Sequence, residues 1–255
     1  MDCIIQARSG STRFPGKVNK LLDSNLTILD YVINQVRFSK KINKIYVATT
    51  NKIDDQIICK KCLDLGVTYF CGSEDNVLDR FYSCAKKFSI KNIVRITADN
   101  PLIDPEIIDS IISKYNSSKF DYVTNTIKRT YPYGTEVEVF SFESLQKSWI
   151  NASLPSEKEH VTPYIRNPNN NFKIFNVEND KNYSFLRYTV DRNEDFQLVK
   201  EILKIIKSRP ILLKDIIRLY SVNKKIFNIN KCVKHDGLIS SQKKDKEFLR
   251  SQNNC

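Results

Sequence analysis

Along the first 120 residues, short apolar runs alternate with longer stretches whose apolar residues recur at helical spacing. Residues 2–7, "KIYVAT" at 44–49, "VTYF" at 67–70 and "NIVRIT" at 92–97 read as buried strands. Between them, "TILDYVINQVRF", "DDQIICKKCLDLG" and "SEDNVLDRFYSCAKKF" read as helices, with Gly66 placed as a stop and an acidic first turn opening the third. This alternation predicts an α/β fold, a mainly parallel sheet with helices on both faces. After residue 120 the pattern is more mixed: strand-like "DYVTNT" and "TEVEVF", helical "SFESLQKSWI", the segment "PSEKEHVTPYIRNP", strand-like "FKIFNV" and "FLRYTVD", then the helix "EDFQLVKEILKIIK". Beyond Val222 the chain turns polar and Lys/Asn/Ser-rich. The reading is a main domain over 1–222 and a basic extension over 223–255 with a mobile end.

In sheets of this kind ligands sit outside the carboxyl ends of the strands, so the segments that follow strands carry the candidate chemistry. The first, "ARSGSTRFPGK", packs two glycines, two arginines and a lysine into Ala7–Lys17. A Walker A loop needs four residues between its glycines and Ser or Thr after the lysine. Here five residues separate Gly10 from Gly16, and Val18 follows Lys17. No G-x-G-x-x-G sequence is present either, so both familiar nucleotide loops are excluded. What remains is a glycine-relaxed loop in which Arg8, Arg13 and Lys17 offer cations, and Gly10, Ser11 and Gly16 permit close backbone approach, as a polyphosphate requires. As loop cations, Arg13 and Lys17 are expected to be dispensable for the core.

The second such segment, "TADNPLIDPE", brings Asp99 to a strand end, where a carboxylate and phosphate oxygens could complete a Mg²⁺ octahedron. Asp104, next to Pro105, is expected to cap the helix "PEIIDSIISKY". Asp191 closes the run "FLRYTVD" and is expected to join Asp99 if the two strands are neighbours. Glu136 and Glu138 alternate along one strand face and either bind hydroxyls or an ammonium or form the solvent face. His160 is by default a structural helix histidine. The Cys59–Cys62 spacing resembles half a zinc site, but no second pair accompanies it.

Composition changes this picture little. The net charge of +12 points to nucleic acid only until its distribution is inspected. From Lys200 onward there are 14 Lys plus Arg against 5 Asp plus Glu, nine of the twelve net charges, so the body is nearly balanced and nucleic acid is disfavoured as a partner. The seven cysteines are scattered, mostly in apolar segments, and disulfides are not expected. No apolar run approaches membrane-spanning length, and the chain opens into "MDCIIQA" without a signal segment, so a cytoplasmic protein without a membrane partner is expected.

Seven stretches, "IIQARSGSTRFPGK", "ATTN", "GSEDNVLDRFY", "RITADNPLIDP", "TYPYGTEVEVFSFESL", "EHVTPYIR" and "LRYTVDRNEDF", resemble in this order the cytidylyltransferases that make CMP-activated sugar acids, and above all the spore coat polysaccharide branch. The resemblance runs from residue 3 to about 206. It implies a Rossmann-like nucleotidyltransferase fold, a three-layer sandwich of the kind that GT-A glycosyltransferases share, and transfer of CMP from CTP with Mg²⁺ as cofactor. By motif, Arg8, Ser9, Gly10, Ser11, Arg13 and Lys17 would hold the nucleotide. Lys17, Asp99 and Arg13 would be catalytic, Asp99 and Asp191 would ligate the metal, and Glu136, Glu138, His160 and Arg166 would face the acceptor. Arg129 and Arg187 are further candidates for an acceptor carboxylate. Ser9, Phe14, Ala98, Asn100 and the Arg192-Asn193 pair depart from the usual residues of the family. Expected partners are CTP and a small acceptor, and a homodimer is compatible with this reading. The competing readings are a glycosyltransferase on a similar sheet, which would want an Asp-x-Asp motif where this chain has Asp99-Asn100-Pro101, and a nucleic-acid or scaffold protein using the basic tail.

Overall fold

The computed structural model describes residues 1–117, 119–233 and 237–252. Its centre is a seven-stranded sheet in the order β3-β2-β1-β4-β6-β5-β7. The strands are β1 (Asp2–Gln6), β2 (Lys44–Thr50), β3 (Thr68–Gly72), β4 (Asn92–Thr97), β5 (Tyr122–Thr124), β6 (Glu138–Ser141) and β7 (Ile174–Asn176). β1 pairs in parallel with β2 and β4, β2 with β3, and β5 with β7, while β6 alone runs against both its neighbours. The chain therefore leaves the sheet at the carboxyl end of β5 and re-enters through β6, so the connection 125–137 lies on the same sheet edge as the loops after β1 and β4.

Helices α1 (Ile28–Arg37), α2 (Gln56–Asp64) and α4 (Pro105–Asn116) cover one face, burying Val32, Ile33, Ile58, Cys62, Ile108 and Ile111 against Ile5, Val47 and Val94. α3 (Val77–Lys87), α5 (Phe142–Asn151), α6 (Pro155–His160) and α7 (Pro163–Arg166) cover the other, with Leu78, Phe81, Leu145, Val161 and Ile165 on Ile4, Ala48 and Phe140. Their ends are set by local chemistry. Thr27 and Asp30 form a reciprocal capping box on α1, Asn76 caps α3 by accepting from the Asp79 amide, and Asp104 caps α4 while also accepting from the Leu213 amide at 2.6 Å. α8 (Asn193–Ile205) and α9 (Leu213–Val222) bury a third cluster around Leu102, Tyr188, Phe196, Leu198 and Ile216.

Two expectations are corrected. The run "FLRYTVD" is not a strand of the sheet, and its sole ladder contact is a bridge from Arg187 to Tyr133. Its backbone bonds go to loops instead: the Tyr133 amide donates to the Leu186 carbonyl, Tyr188 N–H to the Tyr133 carbonyl and Val190 N–H to the Asp99 carbonyl, at 2.8–3.0 Å. The polar stretch after Val222 also holds structure, because α10 (Gly237–Gln252) packs on α6, where Asp245 accepts from the Ser156 amide at 2.9 Å. The six described cysteines are free and Cys255 lies outside the described residues. No described helix is long and apolar enough to cross a membrane.

Candidate active site

The loop after β1 is folded on itself. The Ser9 carbonyl accepts from the amides of Ser11 and Gly16 at 2.8 and 2.9 Å, and Gly16 makes the return with a φ of 65°. The Ser9 amide donates to Asp55 Oδ1 at 2.6 Å, and Asp55 also accepts from the Thr50 hydroxyl at the end of β2. Ser9 thus serves as scaffold. The amides of Gly10, Thr12 and Arg13 have no partner among the described residues and remain donors for an anion.

Lys17 is the hub of the site. Only 8% exposed, it sends Nζ to Asp99 Oδ2 at 2.9 Å, to the Val190 carbonyl at 2.8 Å and to Asp191 Oδ1 at 3.0 Å. Burial disfavours its charge, but Asp99 and Asp191 outweigh burial and raise its pKa, so it is an ammonium. This residue is built into the interior, against the expectation of a dispensable loop cation. Asp191 Oδ1 also accepts from Arg13 Nη2 at 2.6 Å, and its Oδ2 from Arg187 Nη2 at 2.9 Å. Burial alone would raise the Asp191 pKa, but Lys17 and Arg13 hold the carboxyl well below the usual carboxylate range. Asp99 Oδ1 accepts from Thr97 Oγ1 at 2.5 Å. The two aspartates therefore converge, although Asp191 arrives on a loop.

What holds that loop is Asp195, which is fully buried. Its carboxylate accepts from Arg187 Nε at 2.9 Å, from Asn230 Nδ2 at 2.7 Å and from the amides of Asp191 and Arg192 at 3.0 and 3.1 Å. Arg187 is thereby occupied between two aspartates and is not an open acceptor cation.

These groups line a cavity of about 510 Å³ whose wall includes Arg8, Ser11, Arg13, Lys17, Asp99 and Asp191. His160 also belongs to it, with Nε2 2.5 Å from Ser241 Oγ of α10, and Lys244 of α10 pairs with Glu159 at 2.8 Å. Burial lowers the His160 pKa, so the ring is neutral at physiological pH.

Glu136, Glu138 and Arg166 do not reach this cavity. Glu138 faces the α6–α7 side of β6, where it is buried and accepts from Arg95, Tyr122 and Thr162. Glu136 precedes β6, pairs with Arg129 at 2.7 Å and accepts from the Gly134 amide and Asn100 Nδ2 at 2.9 and 3.0 Å, pinning the Asp99 segment to the 125–137 connection. Arg166 is exposed at the end of α7.

Sequence reasoning missed Asp55, Thr97, Asp195, Glu159, Ser241 and Lys244. Asp195, four residues from Asp191 and eight from Arg187, was open to a reading as the acid of a helix-opening turn. Ser241 and Lys244 carry no local signal, because only the packing of α10 on α6 brings them to the cavity.

A cation-rich loop and an aspartate pair on the carboxyl edge of this sheet define a nucleotidyltransferase of Rossmann-like fold. Residues 3–244 match the cytidylyltransferase family, and the chain belongs to it. It is 40% identical over 233 residues to the uncharacterized protein MJ1063 of Methanocaldococcus jannaschii, covering 91% of this chain and 94% of that one. It is 35% identical over 216 residues to the spore coat polysaccharide biosynthesis protein SpsF of Bacillus subtilis, covering 81% and 88%. Among solved structures, a cytidylyltransferase from Leptospira borgpetersenii superposes with a TM-score of 0.84 at 33% identity, over 89% of this chain and 95% of that one. The chain is thus a CTP-dependent nucleotidyltransferase.

Proposed function

We propose that this enzyme transfers CMP from CTP to a sugar acid or related acceptor, releasing pyrophosphate, in the assembly of a surface polysaccharide in the cytoplasm. The observation that carries the reading is the Lys17 ammonium, tied to Asp99 and Asp191 beside a loop with free amides. The motif resemblance to synthetases of CMP-sugar acids supports the acceptor class, and the likeness to SpsF supports the pathway.

In this reading Arg8, Ser11, Arg13 and Lys17, with the amides of Gly10 and Thr12, bind the triphosphate and neutralise charge that grows on the departing pyrophosphate. An acceptor oxygen attacks the α-phosphorus in line, forming the new O–P bond as the α–β bridge bond breaks. His160, neutral and in the cavity wall, hydrogen-bonds the acceptor. The donor set suits Mg²⁺, which takes one or two carboxylates with phosphate oxygens and water, and Asp99 with Asp191 would hold it. Both carboxylates already converge on a cation, the Lys17 ammonium, and no cluster of three or more His, Cys, Asp or Glu ligands occurs among the described residues. When bound, the ion would add positive charge at the phosphates.

The test is incubation with each of the four NTPs, Mg²⁺ and a panel of 2-keto sugar acids and phosphorylated acceptors, read by pyrophosphate release. CTP is expected to be preferred. Equal use of all four nucleotides, or turnover only with a nucleotide-sugar donor, would overturn this reading in favour of a glycosyltransferase.

A further inference from the structure

Asp191 reaches the cavity in the middle of a loop, four residues from Arg187 and four from Asp195. The two ends of that loop are joined by one side chain from beyond α9. Asn230 follows a short 3₁₀ turn (Lys224–Asn228) that packs on α8 and α9, and it is 6% exposed. Its Nδ2 donates to the Arg187 carbonyl at 3.1 Å and to Asp195 Oδ1 at 2.7 Å. A primary amide nitrogen carries two hydrogens, and here one goes to each end of the loop. A hydroxyl has a single hydrogen to give, and an ammonium would add a charge beside Arg187, so an amide is the neutral group that fits both acceptors. Phe227 fixes where that amide stands, because it is buried against Tyr220 of α9 with the ring centroids 5.3 Å apart and the planes at 79°.

Asp195 passes this restraint to Asp191. Its Oδ1 accepts from Asn230 and Arg187 Nε, and its Oδ2 from the amides of Asp191 and Arg192 at 3.0 and 3.1 Å. The Asp191 backbone is thus held by a carboxylate whose own orientation Asn230 helps to set. The Asp191 carboxylate is held by Arg187, whose Nη2 donates to Oδ2 at 2.9 Å and whose carbonyl is the other acceptor of Asn230. Backbone and side chain of Asp191 therefore both refer to residues that Asn230 ties together. We infer that Asn230 is a positioning residue for Asp191, and that the segment after Val222 is the clasp of the active-site loop rather than an appended tail. A cavity of about 380 Å³, bounded in part by Phe185, Arg187, Tyr220, Phe227 and Asn230, lies against the clasp. Water entering from it can satisfy both acceptors when the amide is removed, so a truncated side chain leaves a folded protein; a water molecule does not hold one loop end to the other.

The inference rests on the role of Asp191 proposed above and fails separately from it. Asn230→Ala, Asp191→Asn and the double variant are compared with wild type for pyrophosphate release at fixed Mg²⁺, and for CTP binding by calorimetry without added metal, after a circular-dichroism check of folding. Removing the hydrogen-bonded support behind a metal-ligating group typically costs about tenfold to a hundredfold in activity. The expected result for Asn230→Ala is a kcat lowered at least about tenfold, with KM for CTP and metal-free CTP binding within about twofold of wild type. Added to Asp191→Asn, the same substitution should change kcat by less than about twofold, because a residue that acts through Asp191 then has nothing left to position. Wild-type kcat in Asn230→Ala, an equal fractional loss in both backgrounds, or a loss confined to KM for CTP overturns the inference. Where Asp191→Asn shows no residual turnover, the split between kcat and KM decides. If Asn230→Ala does not fold, Asn230→Ser carries the test, because it keeps one of the two donors. Wild-type turnover in Asp191→Asn would overturn the proposed site itself, whereas a crippled Asp191→Asn beside a normal Asn230→Ala overturns only the clasp.

Discussion

Replacing Lys17 with methionine tests the hub directly. The substitution keeps the aliphatic stem and removes three hydrogen bonds, at 2.8–3.0 Å, from an ammonium that is 8% exposed. Orphaning a fully buried ion pair costs about 3–5 kcal/mol. Here the partners are not fully orphaned: Asp191 keeps Arg13 and Arg187, and Asp99 keeps Thr97 with a side chain 26% exposed. The expected loss is therefore about 2–3 kcal/mol, or about 5–10 °C in Tm for a chain of this size. Urea melts followed by circular dichroism measure it, and pyrophosphate release measures activity, expected to fall at least about a hundredfold. The pH dependence supplies a second check. The Asp191 carboxyl is depressed, so its stabilisation is complete above an ordinary aspartate value of about 3.9 and is lost only as pH falls through its lower folded value. The Lys17 pKa is raised, so its stabilisation is present below about 10.4 and is lost as pH rises through the higher folded value. The gap between wild type and variant should stay flat between those limits and narrow towards strong acid. A variant that melts with the wild type at pH 7, or turns over at the wild-type rate, would refute the reasoning.

Asp99→Asn should lower turnover by about a hundredfold or more while CTP binding partly survives through Arg8, Arg13 and Lys17; single-turnover kinetics with a CTP titration would expose a pure binding defect instead. Gly134→Ala should cost about 2 kcal/mol or more, because Gly134 holds a φ of 112° and a Cβ would meet Tyr188 Cδ2 at 2.6 Å and the Thr189 amide nitrogen at 2.8 Å. A thermal melt matching wild type would contradict that packing. Ending the chain at residue 236 removes Ser241 and Lys244 from the cavity wall, so KM for the acceptor should rise several-fold with KM for CTP unchanged; the reverse pattern would place α10 beside the nucleotide.

The cation-rich edge of the sheet was legible in the sequence because the information there is local. Buried strands announce themselves as apolar runs, and the residues after them must occupy one edge of a parallel sheet. Arg8, Ser11, Arg13, Lys17 and Asp99 could thus be placed together before any coordinates. Asp191 was assigned to that neighbourhood for the wrong local reason, since "FLRYTVD" looks like a strand but spends its backbone bonds on Tyr133 and Asp99. Glu136 and Glu138 show the complementary failure. Alternation along a strand does not reveal what covers a face, and α6 with α7 covers the one that carries Glu138. The depth of Lys17, the grip of Asp195 and the arrival of Ser241 all depend on contacts between residues dozens to well over a hundred positions apart, which no periodicity encodes.

The lone reversed strand has an evolutionary reading. On one side of it, β3-β2-β1-β4 supplies the β1 loop and Asp99; on the other stand β5 and β7. Because β6 turns the chain round, the 125–137 connection opens onto the reacting edge as a hairpin, and hairpin ends accept insertions and deletions with little disturbance of the strands that flank them. A lineage could therefore vary the outer part of that hairpin and the carboxyl-terminal helix while Tyr133, Gly134 and Glu136, which hold the segments of Asp99 and Asp191, stayed fixed. Acceptor specificity in such enzymes should diversify by changes in loop length and helix docking, with the β1 loop and its aspartates as the unchanging half.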